Sequence, residues 1–162
     1  MATVNKSVAS LRIFGGELIP EDISACLGSR PSTSYRKGDV EQLYGGRELT
    51  RKTGAWLLEA DDCEPENLDG QINDLLGRLT PNLEVWKQLS QRFEIDLYCG
   101  LFMEKTNEGF SLSPTTLLAL AERHIEFGID IYAPTREVSK SEQCPCHSGK
   151  LYGECCAPKD EV

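Results

Sequence analysis

Residues 68–101, LDGQINDLLGRLTPNLEVWKQLSQRFEIDLYCGL, change periodicity from helix to strand within one run. Leu68, Ile72, Leu75, Leu76 and Leu79 recur every three or four positions, which puts them on one face of a helix. Pro81 has no N–H to donate and breaks that pattern, with Thr80 before it as a candidate cap. A second helix is therefore expected, carrying Val85, Trp86, Leu89 and Phe93. Beyond Phe93 the period falls to two: Ile95, Leu97, Cys99 and Leu101 point one way, as in a half-buried strand.

The flanks extend the same alternation of elements. Upstream, Ser10 to Phe14 reads as a short strand ending at Gly15-Gly16. Pro20 opens a helix at its favoured first position, with Glu21 and Asp22 in the positively polarised first turn. Ile23, Cys26 and Leu27 form the apolar face of that helix and Gly28 ends it. A strand at Ser32 to Lys37, a turn at Gly45-Gly46 and a clearer strand at Gly54 to Glu59 follow. Downstream, Phe110 and Leu112 suggest a short strand before Ser113-Pro114, a cap and first-turn signal. Leu117, Leu118, Leu120, Ala121 and His124 continue that helix, and Phe127, Ile129 and Ile131 alternate in a last strand. This succession indicates an α+β sandwich, with helices covering a mostly antiparallel sheet. The passages around Pro20 and Pro114 suggest a duplicated ferredoxin-like half.

The 162 residues, 40% hydrophobic and 27% charged, suffice for one core plus an appendage. The net charge of −9 argues against direct nucleic-acid binding and against an anionic membrane surface. The first residues lack the long apolar stretch of a secretory signal, and no segment approaches a membrane span, so a cytoplasmic protein is expected. Seven cysteines, four of them in one cluster, fit a reducing compartment with one metal site and three unrelated thiols, Cys26, Cys63 and Cys99.

That cluster, CPCHSGKLYGECC at residues 144–156, follows a polar stretch, residues 134–143, whose composition is that of a flexible linker. Cys144 and Cys146 flank Pro145 and can converge from a tight turn. Cys155 and Cys156 are neighbours, and bringing both inward needs a distorted turn at Gly153 or the fraying end of a short helix. His147 is a fifth candidate that could replace one thiol. Four thiolates at this spacing suit a tetrahedral Zn2+, and a closed four-ligand site is structural rather than hydrolytic.

The run closely resembles the SEC-C motif in its cysteine spacing and in Pro145, Ser148, Gly149, Lys150 and Tyr152. The resemblance implies zinc held by Cys144, Cys146, Cys155 and Cys156, in a module that docks onto partners such as an acidic export chaperone or the ribosome. His147, Leu151 and Gly153 depart from the usual motif and thin its basic face to Lys150, with Lys159 and the acidic Asp160-Glu161 beyond. Residues 11–133 resemble a bacterial domain of unknown function, numbered 4279, through LRIFGGELIPEDISACLG, SYRKGD, GGRELTRKTGAWLLEA and FSLSPTTLLALAERHIEFGIDIY. That resemblance implies a bacterial, cytoplasmic protein and brings no activity with it. The organisation expected is an N-terminal segment (1–10), an acidic α+β domain (11–133), a linker (134–143), and a zinc knuckle with an acidic tail (144–162).

Charge within the larger domain is uneven. Between Arg30 and Lys52 six basic residues face three acidic ones, whereas residues 53–133 hold five basic and fifteen acidic residues, a net of −10. Arg36, Lys37, Arg51 and Lys52 could form an anion or partner patch, beside Tyr35, Tyr44 or Trp56. A solvated rim, with Trp56 in the core, explains the same residues more simply. The acids from Glu59 to Asp69 miss the EF-hand spacing, because Cys63 and Pro65 stand where oxygen ligands belong, and they suit a helix N-terminus. His124 reads as a core histidine. No nucleophile elbow, phosphate-binding glycine loop or HExxH run appears. The expectation is a non-catalytic zinc-containing binding or adaptor protein with an unidentified protein or ribonucleoprotein partner. The alternative is an acidic inhibitor or immunity-type protein neutralising a basic toxin or nuclease.

Overall fold

The computed structural model describes residues 4–105, 107–134, 141–144, 146 and 148–156. Its central strand, β1 (Lys6–Gly15), buries Ser7, Ala9, Leu11 and Ile13 and leaves the alternate positions half-buried. This period of two commits one face to a core and the other to the surface. β1 pairs antiparallel with β5 (Gly54–Glu59) on one side and β6 (Glu94–Phe102) on the other. A short β2 (Thr33–Tyr35) closes one edge on β5, and β7 (Glu126–Tyr132) closes the other on β6. The order is β2-β5-β1-β6-β7, and β3 (Val40–Gln42) and β4 (Glu48–Thr50) form a separate hairpin.

The α+β class is as expected, with a mixed sheet: three pairings are antiparallel, while β6 and β7 run parallel. The parallel pair needs a crossover, and α4 (Pro114–Glu122) lies within it. α1 (Pro20–Leu27) instead leads through β2 and the hairpin to β5, an antiparallel neighbour of β1. The passages at Pro20 and Pro114 thus enter different pairings, with no common half between them.

All four helices of this body contribute to one core. Ile23 and Leu27 of α1, Leu68, Ile72 and Leu75 of α2 (Leu68–Gly77), Trp86 and Leu89 of α3 (Leu83–Ser90), and Leu120 of α4 join Leu11, Ile13, Trp56, Leu58, Leu97 and Leu101. The helices therefore cover one face of the sheet. The other face carries Val8, Ser10, Arg12 and Phe14 of β1 beside Asp96, Tyr98, Gly100 and Phe102 of β6. Among the described residues no helix is long and apolar enough to cross a membrane.

Several local expectations are corrected. Phe110 and Leu112 form no strand; both pack partly buried against the core from a segment without regular structure. The strand expected at Ser32–Lys37 shrinks to Thr33–Tyr35, and that at Ser10–Phe14 extends back to Lys6. α3 is capped by Asn82, whose side chain accepts from the Glu84 N–H at 3.0 Å, while Thr80 Oγ1 accepts from the Asn82 N–H one step earlier. Cys26 is exposed, leaving Pro20, Ile23 and Leu27 as the buried face of α1. His124 is exposed too: the helix stops at Glu122, and His124 turns the chain at φ 56° before the buried Ile125.

Candidate metal centre

The cysteine run is shaped by backbone pairing before any metal is considered. Gln143 bridges to Leu151, the Cys144 N–H donates to the Lys150 carbonyl at 2.8 Å, and the Tyr152 N–H donates to the Glu142 carbonyl at 2.7 Å. This miniature hairpin holds the Cys144 end against the start of a one-turn helix, α5 (Tyr152–Cys155). Gly149, at φ 76°, makes the reversal between them, a conformation that costs a residue with a Cβ about 1–2 kcal/mol. Cys156 caps α5 through its N–H to the Tyr152 carbonyl, so the fraying end of a short helix turns the adjacent Cys155 and Cys156 toward one point.

The four thiols converge. Their sulfurs all lie within 4.8 Å of one another, with Cys146 to Cys155 at 3.5 Å and Cys155 to Cys156 at 3.7 Å. Four sulfurs about 2.3 Å from a tetrahedral zinc lie about 3.8 Å apart, so the donor set already has the dimensions of a metal cage. Cys144 is buried and the other three are exposed. The Cys146 thiol is lowered to about 6, by the Ser148 hydroxyl first and the Cys144 thiol next. Cys156 is pushed up to about 12 through its hydrogen bonds with Cys144, Cys155 and Cys146. The Cys146 thiol is thus the readiest to lose its proton, the Cys144 and Cys156 thiols are shifted the other way, and a divalent cation could replace thiol protons at the cluster. His147 and the acidic tail lie outside the described residues.

In the 30–52 region backbone hydrogen bonds from Gly38 to Arg51 and from Arg51 to Asp39 place the two basic pairs on adjoining segments, and two of the arginines are engaged by carboxylates. Arg36 donates to Glu21 at 2.8 Å, and Arg51 pairs with Glu41 while stacking 4.1 Å over the Tyr35 ring. Lys37 and Lys52 are exposed, as is Tyr44. Trp56 sits fully buried on the core face, its indole N–H donating to Ser24 Oγ at 3.0 Å. The acids from Glu59 to Asp69 are spread over separate duties: Asp62 pairs with Lys6 at 2.6 Å, Glu66 accepts from the Leu68 N–H, and Asp69 accepts from the Ser113 N–H. Of the remaining thiols Cys99 is buried, and desolvation pushes it up to about 12.

One feature escaped the sequence reading, the polar network on the open sheet face. Arg12 makes two hydrogen bonds of 2.8 Å to the Asp96 carboxylate and lies 4.5 Å over the Tyr98 ring. The Tyr98 hydroxyl meets Asp130 at 2.8 Å and the Tyr132 hydroxyl at 3.1 Å. The signal was available at the positions alternating with Leu11 and Leu97. Its meaning depended on which strands pair.

A family model described as Domain of unknown function (DUF4279) matches residues 3–134, and one described as SEC-C motif matches residues 141–158. Neither a curated protein nor a solved structure matches the chain.

Proposed function

The chain belongs to the family described as Domain of unknown function (DUF4279) and carries a SEC-C motif after that domain, and on this footing we propose a non-catalytic binding protein with a zinc knuckle. In this reading Cys144, Cys146, Cys155 and Cys156 hold one Zn2+, and the knuckle docks onto a protein or ribonucleoprotein partner in a bacterial cytoplasm. The observation that carries it is the approach of four sulfurs to within 4.8 Å of one another. A knuckle this short buries too little apolar surface to order itself, so the metal's binding energy would be its folding energy. Residues 134–143 would act as a tether, raising the effective concentration of one module once the other is bound.

The test is zinc content and partner capture with the full chain and its Cys155→Ser variant. One zinc per wild-type chain, little or none in the variant, and partners retained only by the wild type would support the reading. Equal metal content, or the same partners on both proteins, would contradict it. A second reading, an acidic inhibitor or immunity-type protein acting on a basic toxin or nuclease, is favoured by the carboxylates Glu59, Asp62, Asp96 and Asp130 in and around the open sheet face. Such a surface steers cationic proteins and loses its effect as salt rises.

A further inference from the structure

The open face of the sheet has a hollow at its centre. A cavity of about 400 Å³ lies over β1, β5 and β6, lined by Val8, Ser10, Leu57, Glu59, Asp62 and Tyr98 among others. Strand register explains it. Ser10 is directly opposite Glu59 on β5 and directly opposite Tyr98 on β6, so these three side chains form one row across the sheet. The smallest of them stands in the middle, between a carboxylate and an aromatic ring. The next row, Leu57, Arg12 and Asp96, supplies a taller wall.

The chemistry of the hollow is one-sided. Ser10 Oγ is buried and has no hydrogen-bond partner, which leaves an acceptor unused at the floor. The Arg12 guanidinium is committed to both oxygens of Asp96, so it offers little free charge. Asp62 is engaged by Lys6, leaving the exposed Glu59 as the carboxylate at the mouth. Val8, Leu57 and Ala60 provide apolar walls.

We propose that this hollow receives a lysine side chain presented by a basic protein segment. A lysine joins an apolar four-carbon stem to a compact ammonium with three donors. Its stem would lie along Val8, Leu57 and Ala60, and its ammonium would donate to Ser10 Oγ and the Glu59 carboxylate, the Tyr98 ring being already covered by Arg12. The excess of acid over base in residues 53–133 supplies the long-range attraction and favours a cationic partner over an acidic one. The site is built wholly from the sheet and does not rest on the zinc knuckle, so a chain stripped of metal would keep it.

Heptalysine titrated into the full chain, followed by calorimetry and backbone amide NMR, tests the assignment. Shifts confined to residues 8–12, 57–60 and around Tyr98 are expected, together with an affinity loss of about tenfold or more in Glu59→Gln and in Ser10→Val. Glu84→Gln, an equal change of charge on α3, should leave binding within about twofold. Shifts scattered over the acidic surface, or an equal loss in Glu84→Gln, would overturn the proposal in favour of diffuse charge attraction. Spermidine binding at the same residues as tightly as heptalysine would overturn the protein partner and reassign the hollow to a free polyamine.

Discussion

At the scale of single residues, Asp69 shows how one side chain joins two helices. Its carboxylate accepts from the Ser113 N–H at 2.8 Å, while Asn73 of the same helix donates to Thr116 Oγ1 at 2.8 Å, so the start of α4 is fastened to α2. The Ser113 backbone N–H is the main reason the Asp69 carboxyl sits below its ordinary value. A group depressed on folding lends stability above its unfolded value and loses it as pH falls through the folded one. Wild-type stability in urea should therefore drop more steeply than that of Asp69→Asn as pH falls from about 5 toward 2. Parallel curves would show that the contact adds nothing. His124 gives a second case. Its left-handed backbone strains any residue with a Cβ, and the extra freedom glycine has when unfolded offsets part of the relief. His124→Gly should stabilise the domain by about 0.5–1 kcal/mol. A lower melting temperature would refute this.

At the scale of elements, the core helices and strands were legible because their apolar residues repeat with the period of the element. Leu68, Ile72 and Leu75 fell where 3.6-residue spacing put them, as did Ile95, Leu97, Cys99 and Leu101 at spacing two. Segments whose burial comes from elsewhere were not legible. Phe110 and Leu112 alternate like a strand but form none. His124 lies in phase with the α4 pattern, yet the helix ends before it. The four cysteines were legible as a set from spacing alone, whereas Ser10, Glu59 and Tyr98 became a row only through register. Register also explains a buried polar contact no local pattern announces. Ser7 Oγ donates to Gln71 Oε1 at 2.6 Å, and Gln71 Nε2 reaches the Ser7 and Asp61 carbonyls at 3.2 and 2.7 Å, locking α2 to β1. Gln71→Leu would leave the buried Ser7 O–H without its acceptor, although the Asn67 N–H still donates to that oxygen at 3.2 Å, and should cost about 1–3 kcal/mol in chemical denaturation. An unchanged midpoint would mean that water or a rearranged neighbour satisfies it.

At the scale of the whole molecule, the core cluster draws its described residues from Val4 to Ile129, and no described residue of the cysteine run belongs to it, Cys144 being buried apart from that cluster. Both tryptophans, Trp56 and Trp86, are fully buried within it. The two modules should therefore respond differently to metal removal. A strong chelator should leave tryptophan emission and the main thermal transition unchanged, while thiol reactivity at the cysteine run rises sharply. Loss of the tryptophan signal on chelation would mean that the metal supports the body as well. The central claim, that four thiolates close around one ion, is met most directly by replacing that ion with cobalt(II) and recording its electronic spectrum. The expected result is one cobalt per chain, with the intense ligand-field bands of tetrahedral cobalt and sulfur-to-metal charge transfer, all weakened in Cys155→Ser. Failure to take up cobalt, or the faint spectrum of a six-coordinate oxygen-ligated ion, would contradict it.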